Sequence, residues 1–267
     1  MNSPSIALIK EVAALRQKKG RDDSGLILVE GRHPIEEALR AGLNLRHFFI
    51  LPTHPGHLPA EHYPQTPFVV DEHAMRRLST TDSPPPCLAV FEKPVSPSTF
   101  QGSFALVLES LQDPGNLGTL IRSAAAFGVN GVILTGDSAE AYNPKVIRAS
   151  AGLVFSMPMF IADHQRLQSL LPEEVWQVYT TTGQADALNY RNVDFTGHCA
   201  LVLGNEGRGI SSQLFSGRNN LQALTIPMDP IVESLNVAIS GSIILAEAAA
   251  RRVMASFSQP ITAERGI

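Results

Sequence analysis

The residues of this 267-residue chain that could do chemistry lie in three stretches, each beginning in an apolar run: LESLQDPGNLGTLIR (108–122), LVLGNEGRGI (201–210) and IPMDPIVESLNVAISG (226–241). In the second stretch, Gly204, Gly207 and Gly209 follow the apolar run at once. Glycine lets a backbone approach a ligand closely or adopt positive φ, although a plain tight turn uses it equally well. The order is G-x-x-G-x-G, which is neither the dinucleotide fingerprint nor a phosphate-cradling Walker loop. Glu206 stands between glycines, as a working carboxylate or as a solvent-facing loop acid. In the third stretch Ser234 suits a helix N-cap. Asn236 is a mediocre helix former two residues on, so its amide needs a specific partner. In the first stretch Arg122 falls roughly 140° around a helix from Leu117, off the apolar stripe. It is either a surface arginine or a planar donor for phosphate or carboxylate.

Elements of definite kinds must position these residues. The pattern predicts a helix over 5–19, strands over 26–29, 47–50, 68–70 and 87–91, and helices over 34–41 and 72–78 capped by Asp71. Strands and helices alternating over about 95 residues imply a small α/β domain. Prolines and small polar residues in EKPVSPSTFQG (92–102) mark the boundary, giving expected domains of 1–95 and 103–256. Beyond it, the near-continuous apolar run 104–108 reads as a strand covered on both faces. A helix follows, with Leu117, Leu120, Ile121 and Ala124 on its apolar stripe, Asn116 as cap and Gly128 as stop. Further strands are predicted over 131–134, 154–159, 175–179, 200–203 and 224–226. Asn143-Pro144 opens a helix, and a long helix over 234–254 closes the chain. That rhythm predicts an α/β fold with a mostly parallel sheet, whose ligands sit beyond the carboxyl ends of the strands.

Composition excludes several classes. With 44% hydrophobic and 17% charged residues the chain is neither disordered nor fibrous. Cys87 and Cys199 offer no disulfide framework and no zinc ribbon, so a reducing, cytoplasmic setting is expected. No apolar stretch is long enough for a secretory leader or a membrane span, since 235–250 contains Asn236 and Glu247. The net charge of −4 neither demands nor forbids a nucleic-acid partner. Arg16, Lys18, Lys19 and Arg21 form the one segment resembling a phosphate-contacting patch, with a solvated helix face as the bland alternative.

Taken together, N-x-G-x-x-I-R at 116–122, L-V-L-G-N-E-G-x-G at 201–209 and I-P-M…E-S-L-N-V-A at 226–238 resemble the SpoU (TrmH-type) branch of the SPOUT methyltransferases. Asn143-Pro144-Lys145 with Arg148-Ala149-Ser150-Ala151-Gly152 is similar to the same family, and LILVEGRHPIEEALRAG (26–42) resembles its L30e-like substrate-binding domain. The resemblance implies an α/β catalytic domain whose C-terminal part threads a trefoil knot, a feature no periodicity reveals. It implies an S-adenosylmethionine (AdoMet)-dependent enzyme that methylates a ribose 2′-oxygen of structured RNA, with large-subunit ribosomal RNA favoured over transfer RNA, and a homodimer. By correspondence Arg122 stands at the 2′-hydroxyl, with Asn116, Glu206, Ser234 and Asn236 completing the catalytic set. Thr181, Leu203, Gly204, Gly207, Ile226, Pro227, Met228, Leu235 and Asn236 are the implied AdoMet contacts, and Arg16, Lys18, Lys19, Arg21 and Arg32 the RNA contacts.

Competing readings are a non-catalytic RNA-binding module on the same fold, a transfer-RNA enzyme, and a Rossmann oxidoreductase, which lacks the fingerprint loop. A serine hydrolase lacks its G-x-S-x-G elbow. A metal enzyme would have to use His54, His57 and His62 among prolines; no metal is expected.

Overall fold

A computed structural model describes residues 3–52, 65–182, 187–205, 207–211 and 213–258. The His54, His57 and His62 cluster and Glu206 lie outside the described residues. The chain divides into two compact units: Met1–Pro97 with Gln112–Arg122 and Ala139–Met159, and Ser98–Leu111 with Ser123–Ser138 and Phe160–Ile267.

In the first unit, α1 (Ile6–Ala14), α2 (Lys18–Ser24), β1 (Leu26–Glu30), α3 (Arg32–Arg40), β2 (Leu45–Ile50), β3 (Phe68–Val69), α4 (Glu72–Leu78) and β4 (Cys87–Glu92) follow one another. The sheet order is β1-β4-β2-β3, with β4 antiparallel to both neighbours and β3 parallel to β2. Leu28, Phe49, Leu88 and Val90 bury one face against Val12 of α1 and Met75 of α4. Asp71 caps α4, accepting the Ala74 N–H at 2.7 Å.

The single helix expected over 5–19 is instead two. At the break, the Leu15 N–H bonds the Val12 carbonyl, and the Leu15 carbonyl accepts from Arg21 Nη1 at 2.7 Å. The Arg21 guanidinium is 2% exposed and meets Glu140 at 2.6 Å. It is therefore no phosphate contact, a correction to the basic patch. Its type and position on a polar segment read as surface because the partner lies 119 residues away. A second buried carboxylate, Glu30, accepts from Ser79 Oγ (2.6 Å), the Thr80 N–H (2.7 Å) and Arg148. Removing one member of a buried pair leaves the other charge desolvated, at a cost of about 3 kcal/mol or more. Arg21→Ala is expected to destabilise near the low end of that scale, because Lys93 also approaches Glu140 at 3.5 Å. Denaturant unfolding checks this; a change under about 1 kcal/mol would reduce the pair to a surface contact.

Also in this unit, α5 (Pro114–Ala126) begins, and α6 (Pro144–Ala149) opens on its Asn143 cap as expected. Asn116 does not cap α5. Asp113 does, accepting the Asn116 N–H at 2.7 Å through Oδ1, with Pro114 at the first helical position. The strand expected over 154–159 begins only at Met159, because Leu153–Phe155 forms a 3-10 turn. Ala151 and Gly152 at positive φ lead from the end of α6 into that turn.

The second unit is built on β5 (Phe104–Glu109), β6 (Gly131–Thr135), β7 (Met159–Ile161), α7 (His164–Leu170), β8 (Gln177–Thr181), β9 (Leu188–Asn189), β10 (Cys199–Leu203), β11 (Leu221–Thr225) and α8 (Val237–Ser258). The sheet order is β7-β6-β5-β10-β8-β11-β9, and the strands from β6 to β9 pair in parallel. β5 and β10 are buried along their whole length, so the apolar run that predicted a doubly covered strand holds. The expected α5 stripe is fully buried, and Gly128 ends the helix at φ +71. α8 starts later than expected, at Val237, because Asn236 and not Ser234 is its cap: Asn236 Oδ1 accepts the Ala238 N–H at 2.9 Å. Ser242 on α8 turns inward and bonds Ser123 at 2.7 Å. Among the described residues, no helix is long and apolar enough to cross a membrane.

Candidate active site

At the carboxyl ends of β8, β10 and β11 lies a cavity of about 470 Å³, within the size range of small-molecule sites. A parallel sheet puts loops and unpaired N–H groups at this edge, which is why ligands gather there. Thr181 closes β8, Leu203 closes β10, and Leu224 and Thr225 close β11; all four line the cavity. The loop after β11 adds Ile226, Met228, Glu233, Ser234 and Leu235, and Asn236 brings the start of α8.

Of the expected AdoMet contacts, Thr181, Leu203, Gly204, Ile226, Met228, Leu235 and Asn236 meet at this one cavity, joined by Ser234 of the expected catalytic set. Gly207 and Pro227 are not among its lining residues. Gly204 has a steric reason to be glycine. A Cβ there would lie 2.4 Å from the Gly209 carbonyl oxygen and 2.7 Å from Ile210 Cγ1, because the loop after β10 folds back tightly on itself through the Asn205–Gly209 bridge.

Gly209, one of the three glycines of this loop, lines the cavity too, as do Asn205, Ile210 and Glu233, which are not among the expected site residues. Asn205 is the organiser. Its Oδ1 accepts the N–H groups of Gly207 (2.9 Å) and Arg208 (3.1 Å), and its Nδ2 donates to the Ser110 carbonyl at 3.1 Å. The available signal was an Asx residue just before a glycine pair, the composition of a side-chain-stabilised turn.

Electrostatically the lining carries one carboxylate, Glu233, and no lysine, arginine or histidine among the described residues. The site therefore favours a cationic or neutral guest over an anion. Apolar walls from Leu203, Ile226, Met228 and Leu235 suit a flat ring system.

Arg122 and Asn116 belong to the first unit. Arg122 is exposed on α5, and no hydrogen bond or ion pair to a described residue occupies its guanidinium. Arg16, Lys18, Lys19 and Arg32 are also exposed, with Arg32 paired to Glu36 at 2.8 Å. Arg16 Nη1 donates to the Arg77 carbonyl at 3.3 Å, which brings the exposed Arg76 and Arg77 of α4 beside the end of α1.

Residues 103–246 match the SpoU rRNA Methylase family, and residues 7–89 match an MRM3-like substrate binding domain. The chain is 35% identical to an uncharacterized tRNA/rRNA methyltransferase of Synechocystis, over 93% of both chains. It is 31% identical to the 23S rRNA guanosine-2′-O-methyltransferase RlmP of Bacillus subtilis, over 89% of this chain and 94% of that one. The AdoMet-bound rRNA methyltransferase of Sinorhizobium meliloti superposes with a TM-score of 0.79 at 28% identity, covering 94% of this chain and 97% of that one.

Proposed function

The chain belongs to the SpoU rRNA methylase family, and from that footing we propose that it transfers a methyl group from AdoMet to a ribose 2′-oxygen of structured RNA, of the 23S ribosomal type. The observation that supports this most is the single cavity joining residues of the second and third motifs at the carboxyl edge of the sheet. Its chemistry fits AdoMet: among the described residues it has one carboxylate for a cationic ligand and no competing cation, and its backbone is crowded to glycine at residue 204. AdoMet supplies, when bound, an electrophilic methyl on a sulfonium, so the protein has only to align the acceptor and manage a proton.

The chain's own groups divide that work. Thr181, Leu203, Gly204, Ile226, Met228 and Leu235 hold the donor, largely through backbone groups and apolar contact. Arg122 binds the phosphate beside the target ribose and stabilises the alkoxide that develops as the 2′-hydroxyl loses its proton. Arginine does not itself accept that proton near neutral pH. Asn116 and Ser234 orient the ribose, and Glu206 steadies the loop. Asn236 fixes the first turn of α8, its Oδ1 being committed to the cap.

We assign residues 1–95 to RNA binding and 103–256 to catalysis, with the C-terminal loops threaded as a trefoil knot and two chains forming a homodimer. Ile231 (89% exposed) and Ile239 (54% exposed) are apolar surface that a second copy would cover. Both cysteines are buried thiols outside any disulfide, which supports a cytoplasmic setting.

RNA contact falls to Arg16, Lys18, Lys19 and Arg32, extended by Arg76 and Arg77. Lys18→Ala with Lys19→Ala is expected to weaken binding of a 23S fragment and to flatten the slope of log K against log salt by about one per lost phosphate contact. An unchanged slope would return these lysines to a solvated helix face. The function itself is tested by mapping 2′-O-methyl marks in 23S RNA from cells lacking the gene. One mark should vanish; an intact set would reject ribosomal RNA as the substrate.

A further inference from the structure

Glu109 ends β5 as a buried carboxylate, 7% exposed, which the proposed reaction does not use. Burial raises its pKa, and a hydrogen bond from the Ser211 N–H pulls it partly back. An acid costs stability in such a place, so its retention calls for a reason. That N–H donates to Glu109 Oε2 at 2.8 Å, across 102 residues of sequence. The next residue, Ser110, sits at φ +51, a conformation that a non-glycine residue holds only when its surroundings enforce it. Its carbonyl accepts from Asn205 Nδ2 at 3.1 Å. Asn205 and Gly209 in turn exchange both backbone hydrogen bonds, at 3.2 and 2.8 Å. The end of β5 thus grips the β10 loop at Asn205 and again at Ser211, on either side of Gly209 and Ile210, which line the cavity.

We propose that Glu109 is a positioning residue: through the Ser211 N–H it fixes Gly209 and Ile210 as a wall of the AdoMet cavity, and so sets affinity for the methyl donor without touching it. The proposal rests on the reading of that cavity as the AdoMet site.

Titration calorimetry with AdoMet, paired with thermal unfolding, tests it on the full chain. Glu109→Leu replaces the buried acid with an apolar side chain of similar size. It is expected to keep or raise Tm while weakening AdoMet binding about tenfold or more, the equivalent of a lost charge-assisted hydrogen bond. Glu109→Gln keeps an acceptor for the Ser211 N–H and should stay within about threefold of wild type. Ser211→Pro deletes the donor and leaves Glu109 in place, and should reproduce the loss seen with leucine. Wild-type affinity in either Glu109→Leu or Ser211→Pro overturns the proposal, whatever happens to Tm. A wild-type protein that does not bind AdoMet overturns the proposed function itself, and this inference with it.

Discussion

Replacing Arg122 with alanine is expected to lower turnover by about 100-fold or more, the scale on which a removed electrostatic group acts in a transition state, and to leave AdoMet affinity within about twofold of wild type. The guanidinium is exposed on α5 and held by no described neighbour, so truncating it removes no packing and no cap. Stability should stay within about 0.5 kcal/mol, as for other surface changes. The effect then isolates the group's work on RNA. If Arg122 meets both the phosphate and the developing alkoxide, KM for RNA rises and kcat falls together. Lysine keeps the charge but not the planar fork, and should recover only part of the rate. An alanine variant with full activity would remove Arg122 from the mechanism.

Gly204→Ala should act on the other half of the reaction. Its Cβ would stand 2.4 Å from the oxygen and 2.5 Å from the carbon of the Gly209 carbonyl, closer than van der Waals contact allows. Backbone, not a flexible side chain, must move. The moving part includes Gly209 and Ile210, which line the cavity. AdoMet binding is expected to weaken more than about 30-fold, or about 2 kcal/mol, typical of strain forced into a packed site. Gly207→Ala is the control, since its Cβ would meet only Asn205 Oδ1 at 3.6 Å. Calorimetry with both variants decides the point; equal binding would show that the crowding at residue 204 does not shape the cavity.

What the sequence disclosed follows the reach of its signals. The buried run of β5, the stripe Leu117, Leu120, Ile121 and Ala124, and the Asn143 cap are local patterns, each set within a few residues, and each matches the fold. Two caps differ from the sequence pattern by two or three residues, α5 starting earlier and α8 later than expected. Asp113 outcompetes Asn116 because proline at 114 sets the helix start, and Asn236 outcompetes Ser234 because the chain stays irregular over residues 226–236 beside the cavity. Arg21 sits in a basic segment that resembles a surface patch because its partner Glu140 is 119 residues away in sequence. Glu109 carries no local signal for the same reason, as its donor Ser211 lies 102 residues away. Short extras such as β9, two residues long, carry too little pattern to be seen.

The central claim is that methyl goes from AdoMet to a ribose oxygen, not to a base. Incubating the protein with unmodified 23S RNA and methyl-labelled AdoMet, then hydrolysing the RNA with alkali, tests it directly. A 2′-O-methyl group blocks cleavage at its own phosphodiester, so the label should sit in an alkali-resistant dinucleotide. Label released in mononucleotides, or no label in the RNA at all, would contradict the account.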